Sequence, residues 1–153
     1  MQLPPGNTLG VEPGHPSWGD TDHWVDKVLL VEALAPAVVS FTFGVPDRGT
    51  LSRLRAAGCE IHITVTSAGE ALAAQEAGAD VLVVQGQEAG GHRGTHDPTA
   101  EPEAIDHLGL LEAVTAAGGT LPMVAAGGPG RVQAVILEAS VKEEELETQA
   151  GLR

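Results

Sequence analysis

Asp80-Val81-Leu82-Val83-Val84-Gln85 runs directly into Gly86-Gln87-Glu88-Ala89-Gly90-Gly91-His92-Arg93-Gly94, and this stretch decides the fold. The first part is short and almost uniformly apolar, as expected of a parallel strand covered on both faces. The second part surrounds one histidine with glycines. In α/β folds, ligands bind just beyond the carboxyl ends of such strands. Glycines there let backbone amides approach a ligand and adopt positive φ. An imidazole on that loop can take or give a proton near neutral pH. The same residues also read as an ordinary solvated loop, and alone they do not choose between the two.

Upstream of this stretch, Ala37 to Phe43 and Ile61 to Val65 form two more β-rich runs. Helical segments are expected between the strands. One runs from about Leu51 to Ala57 and closes at Gly58, and another from Ala71 to Ala77 closes at Gly78. Ser67 and Glu70 stand at capping-box spacing before the second. A further helix, from Asp22 to about Leu34, carries Trp24, Val28, Leu29, Val31 and Leu34 and is stopped by Pro36.

Downstream of the glycine loop, Ile105, Leu108, Leu111 and Val114 mark a helix ending at Gly118-Gly119. Leu121 to Ala126 is a fourth strand, and Pro129 opens a last helix bearing Val132, Val135 and Ile136. Strands alternating with helices imply right-handed βαβ units and a parallel sheet, so the class is α/β. Residues 1–20, rich in proline and glycine, are expected to be irregular. Residues 21–139 carry the βα units, and residues 140–153 form an acidic tail.

Charge narrows the function. Eight Lys+Arg against 21 Asp+Glu give −13, a surface that repels nucleic acid and anionic membranes. Aromatic residues are only 3%, too few for base-stacking platforms. The single cysteine, Cys59, excludes an internal disulfide and suits a reducing compartment. No basic, apolar leader and no run of roughly 20 apolar residues is evident, so a cytoplasmic location is expected.

A second glycine element, Ala125-Ala126-Gly127-Gly128, ends one strand just before a helix. That arrangement suits a phosphate, although glycine pairs also make simple tight turns. A metal site is not expected. His92 and His96 are four apart, but the glycines around them oppose the helix that would bring them together. Cys59 has no basic cluster nearby to activate it. There is no phosphate-binding lysine loop of the Walker type and no Gly-x-Ser-x-Gly elbow.

Taken in order, these elements resemble the nitronate monooxygenase (2-nitropropane dioxygenase) family. The resemblance covers about residues 37–128. It rests on Val38 to Pro46, Ala57 through Thr66, Glu70-Ala71, Ala77 to Asp80, Gln85 to Gly94 and Pro122 to Gly128. The string Glu88-Ala89-Gly90-Gly91-His92-Arg93-Gly94 is its most specific part. The resemblance implies a TIM barrel holding FMN at the C-terminal face of its strands. It implies oxidation of nitronates or nitroalkanes by O2 to a carbonyl compound and nitrite. His92 then becomes the catalytic base, Gly90 and Gly91 approach the flavin, Gly127 and Gly128 hold its phosphate, and Gln85 faces the cofactor from the strand end.

The chain also departs from the family. No Pro-Met-rich strand precedes Asp22, and no Gly-Thr follows Gly128. A TIM barrel needs about 250 residues and eight strands; four are counted here. The expectation is therefore a partial (β/α)8 barrel of about four parallel βα units. Its open edges would invite self-association or a complementing barrel half. Two other readings stand beside nitronate oxidation. One is a flavin-dependent enoyl reductase, and the other is a non-catalytic remnant or half of a split flavoprotein.

Overall fold

The computed structural model describes residues 21–127 and the backbone of residues 136–137. The irregular lead-in, the acidic tail, Gly128, and Val132 and Val135 of the expected last helix lie outside them.

Four strands, β1 (Val38–Phe41), β2 (Glu60–Val65), β3 (Val81–Gln85) and β4 (Met123–Ala126), lie side by side in chain order and run parallel. Helix α1 (Trp24–Leu34) precedes them. The crossovers are α2 (Arg48–Ala56), α3 (Ala68–Ala77) and α4 (His107–Ala116). Sequential parallel order with one helix per crossover is the arrangement of part of a (β/α)8 barrel.

Register sorts the side chains into two faces. Val39 pairs with Ile61 and Phe41 with Ile63; Ile63 stands level with Leu82, Val65 with Val84, and Leu82 with Met123. Ile61, Ile63, Val65, Leu82 and Val84 are wholly buried, together with Leu51 and Leu54 of α2, Ala71 and Ala74 of α3, and Leu110 and Val114 of α4. This face is the hydrophobic core. Of the alternate positions, Thr64 and Val81 are buried, while Ser40, His62, Val83 and Gln85 are only partly covered or exposed. The expectation that β3 is covered on both faces therefore holds fully for the face under the helices and, on the other, only at Val81.

Capping explains the helix starts better than apolar spacing does. Asp47 accepts from Thr50 N–H at 3.0 Å and from its hydroxyl at 2.6 Å, which starts α2 at Arg48, ahead of the expected Leu51. Asp106 accepts from Gly109 N–H at 2.8 Å, so Ile105 precedes α4 instead of opening it. The three-residue spacing also misplaces one side chain. Leu108 is 61% exposed, while Leu110, Leu111 and Val114 are buried. In α1 only Val28 is buried; Trp24, Leu29 and Leu34 of the expected apolar pattern stand exposed.

One further correction concerns Ile136, expected on the last helix. Ile136–Leu137 instead form a short strand, β5, antiparallel to β4 through Met123↔Leu137 and Val124↔Ile136. Here the free edge of β4 supplies backbone hydrogen bonds that a helix would have had to make internally.

Candidate active site

Because β1 to β4 are parallel, their C-terminal ends and the loops that follow gather at one edge of the sheet. Gln85, the last residue of β3, organises this edge. Its side-chain amide donates to the carbonyl oxygen of His92 at 3.2 Å, and its Oε1 accepts from the N–H of Gly94 at 2.6 Å. One side chain thus grips the loop on either side of Arg93. Gly94 is wedged against the sheet, where a Cβ would lie 2.9 Å from the Thr64 methyl and 3.1 Å from that of Thr42. The hydroxyls of those two threonines meet at 3.1 Å.

The capping box works differently from its sequence reading. Ser67 accepts from Glu70 N–H at 3.2 Å, as its spacing predicts. The Glu70 carboxylate, however, reaches back to Thr66, accepting from its N–H at 2.6 Å and its hydroxyl at 2.9 Å. Its other oxygen accepts from His96 N–H at 2.8 Å. The His96 ring then donates through Nε2 to the Thr64 carbonyl at 2.8 Å, since a carbonyl can only accept. The two bonds therefore tie residue 96 to the first turn of α3 and to β2.

A third tie fixes the start of the loop. Glu88, in a 3-10 turn at Gln87–Ala89, accepts from the backbone N–H of His107 at 3.0 Å and pairs with its Nδ1. Burial pulls the Glu88 carboxyl upward, but the His107 N–H and imidazole outweigh it and hold its pKa down at about 2. His107 has no partner legible from its place in the sequence, and this pairing across 19 residues gives it one.

His92 stands exposed at the loop's tip, and among the described residues no hydrogen bond reaches its imidazole. With Phe43, Arg93, Thr95, His96 and Asp97 it lines a cavity of about 510 Å³, within the range of small-molecule sites. Phe43 has φ +69°, a strained conformation for an aromatic residue at a cavity rim. Gly90 and Gly91 have φ +66° and +67°, and nothing lies within 4 Å of where either Cβ would stand. Gly127, with φ +87°, packs against the 3-10 turn, where a Cβ would fall 2.3 Å from Ala89. The site residues expected from sequence are thus placed as follows: Gln85, Gly90, Gly91 and His92 belong to β3 and the loop it feeds, and Gly127 touches that loop's first turn.

Arg93, Thr95, His96 and Phe43 carry no role that the sequence alone would assign. Arg93 has a distinctive signal: among the described residues all three of its guanidinium nitrogens are shut off from solvent without a hydrogen-bond partner, as are the Thr95 hydroxyl and Oε2 of Glu88. A cavity lined by two residues whose covered polar atoms have no partner suits a ligand bearing anionic oxygens. The backbones of Gly90 and Gly91, left open at the loop that carries His92, fit a flat cofactor such as a flavin.

Comparison with known proteins adds the following. Residues 7–137 match the family model described as nitronate monooxygenase. A nitronate monooxygenase of Pseudomonas aeruginosa is 47% identical over 93 residues, 61% of this chain and 26% of that protein. One of Paraburkholderia phytofirmans is 41% identical over 110 residues, 71% of this chain and 30% of that protein. Among solved structures, a nitroalkane oxidase from Streptomyces ansochromogenes superposes with a TM-score of 0.67 at 45% identity, covering 72% of this chain and 32% of that one. A FabK mutant from Thermotoga maritima follows at TM-score 0.58 and 26% identity, covering 71% and 33%. The chain spans under a third of the length of the Pseudomonas and Paraburkholderia proteins.

Proposed function

The chain belongs to the nitronate monooxygenase family, and we propose that its site serves the oxidation of alkyl nitronates or nitroalkanes with bound FMN and O2. The observation that carries this reading is the loop Gly90-Gly91-His92. It sets an unpaired imidazole beside two open backbones, at the edge where the parallel strands end. The flavin, when bound, supplies the redox chemistry that no side chain of the site can perform.

The chain's own residues would position and deprotonate. His92 accepts the proton from the carbon bearing the nitro group, or orients a nitronate that arrives already deprotonated. Gly90 and Gly91 present their backbone to the flavin without a Cβ in the way. Gly127, with Gly128, takes the phosphate where β4 gives way to the next segment. Gln85 acts at the cofactor's edge through the loop it grips. Products are a carbonyl compound and nitrite.

Identity favours this reading, since the nitroalkane oxidase is 45% identical and the FabK structure 26%. The test is to add FMN, remove the excess, record the visible spectrum and particle size, and follow nitronate and O2 consumption. Bound flavin and nitronate turnover, both without NAD(P)H, support the reading. NAD(P)H oxidation with an enoyl thioester would replace it, and absence of bound flavin would leave a non-catalytic chain or one half of a pair. In His92→Ala, flavin is expected to stay while turnover is lost; turnover that survives overturns the role of His92.

A further inference from the structure

We propose that Arg93, with the hydroxyl of Thr95, is the anion-recognition group of the cavity. It would take a planar anion with two oxygens on one atom, either a nitronate or a carboxylate. The inference deepens the proposed function and rests on it for the choice of nitronate as probe.

Arg93 is held in place by its neighbours. Gln85 bonds the residue on each side of it, and Gly94 is wedged against Thr42 and Thr64. Its guanidinium is nonetheless alone, with Nε and both terminal nitrogens buried and unbonded. Among the described residues no carboxylate bonds it: both oxygens of Glu70 are taken by Thr66 and His96, and Glu88 spends Oε1 on His107 while its buried Oε2 is itself without a partner. Glu101 and Glu103, on the same loop, are exposed.

A guanidinium withdrawn from water and left unpaired is among the most costly arrangements a protein can hold. Such a group is accounted for by a ligand that completes it. Both Arg93 and Thr95 line the cavity that His92 lines, with the guanidinium nitrogens and the Thr95 hydroxyl covered, so an anion that uncovers them is held beside the imidazole. The guanidinium offers a rigid fork matched to two oxygens on one atom, which an ammonium cannot imitate. Since its nitrogens are closed to solvent, an entering anion must displace the side chains that cover them.

The experiment is a titration of the isotope-labelled full chain, without flavin, following the arginine Nε–H signals. Arg93 is assigned by the signal that Arg93→Met lacks. The probes are propane-2-nitronate, acetate and inorganic phosphate, with acetamide as the neutral control. A saturable shift of the Arg93 signal with nitronate or acetate, and none with acetamide, is expected. Affinity should fall at least tenfold in Arg93→Lys and vanish in Arg93→Met. An unmoved Arg93 signal overturns the proposal, and this reading needs only the wild-type chain should a variant fail to fold. A response to phosphate alone assigns Arg93 to a phosphate and overturns the planar-anion assignment. Anion binding through Arg93 without nitronate turnover upholds this proposal and defeats the activity. Turnover with KM unchanged in Arg93→Met defeats this proposal alone.

Discussion

The carboxylate of Glu70, at the first turn of α3, accepts a hydrogen bond from the backbone N–H of His96 at 2.8 Å, 26 residues further along. Its second oxygen is held by Thr66 N–H and hydroxyl at the end of β2. One carboxylate thereby joins two loops at the edge where the parallel strands end.

Glu70→Ala would leave the Thr66 and His96 amides without their acceptor, and hydrogen bonds to a charged group are the stronger kind. A loss of about 2–4 kcal/mol in unfolding free energy is expected. Amide exchange at His96 should accelerate more than at the core of β3. Glu70→Gln, which keeps one acceptor oxygen, should lie between. Equal His96 protection in Glu70→Ala and wild type would show that this bond does not hold the loop.

This tie also marks the boundary of what the sequence makes legible. Periodicity and glycine punctuation predict β1 to β4 and their helices, because burial under one helical layer imposes the pattern directly. The spacing of Ser67 and Glu70 announces a cap, and the Ser67 half of it forms. Where the Glu70 side chain goes depends on where residue 96 folds back, which is a tertiary fact. The pairing of Glu88 with His107 is hidden for the same reason. Arg93 sits inside the most specific motif of the sequence, yet the burial of its guanidinium without a partner among the described residues is visible only in the folded chain.

Glu88 links stability to acid. Its folded-state pKa is about 2, below its ordinary 4.5. The unfolded chain therefore takes up a proton near pH 4.5 that the folded chain refuses until about pH 2. The stabilisation from His107 is fully present above pH 4.5 and is lost as pH falls toward 2. Urea unfolding at intervals from about pH 5.5 to about pH 2.5 should show stability declining less steeply in Glu88→Gln than in wild type. Parallel slopes would mean that the pair contributes nothing.

Gly127 is required on two counts. Its φ of +87° is costly for any residue with a Cβ, and that Cβ would fall 2.3 Å from both Cα and Cβ of Ala89. Gly127→Ala should therefore destabilise by about 2–4 kcal/mol. Ala89→Gly should rescue it only in part, since the clash with the Ala89 Cα remains. Full rescue in a urea-denaturation comparison would show that the contact is with the side chain alone.

Leu108 and Leu110 separate apolar spacing from packing. Both are leucines of α4, two residues apart, and the three-residue rhythm of Ile105, Leu108, Leu111 and Val114 favours Leu108 as the buried one. The Asp106 cap sets the helix phase otherwise, turning Leu110 inward to 0% exposure and leaving Leu108 at 61%. Leu110→Ala should cost about 2–5 kcal/mol through the cavity it leaves. Leu108→Ala should stay within about 0.5 kcal/mol of wild type, as surface changes do. If Leu108→Ala proved the costlier in chemical denaturation, α4 would be rotated about its axis and the core assignment of Leu110 would fail. A large loss in both would mean that the exposed face of α4 is covered in solution.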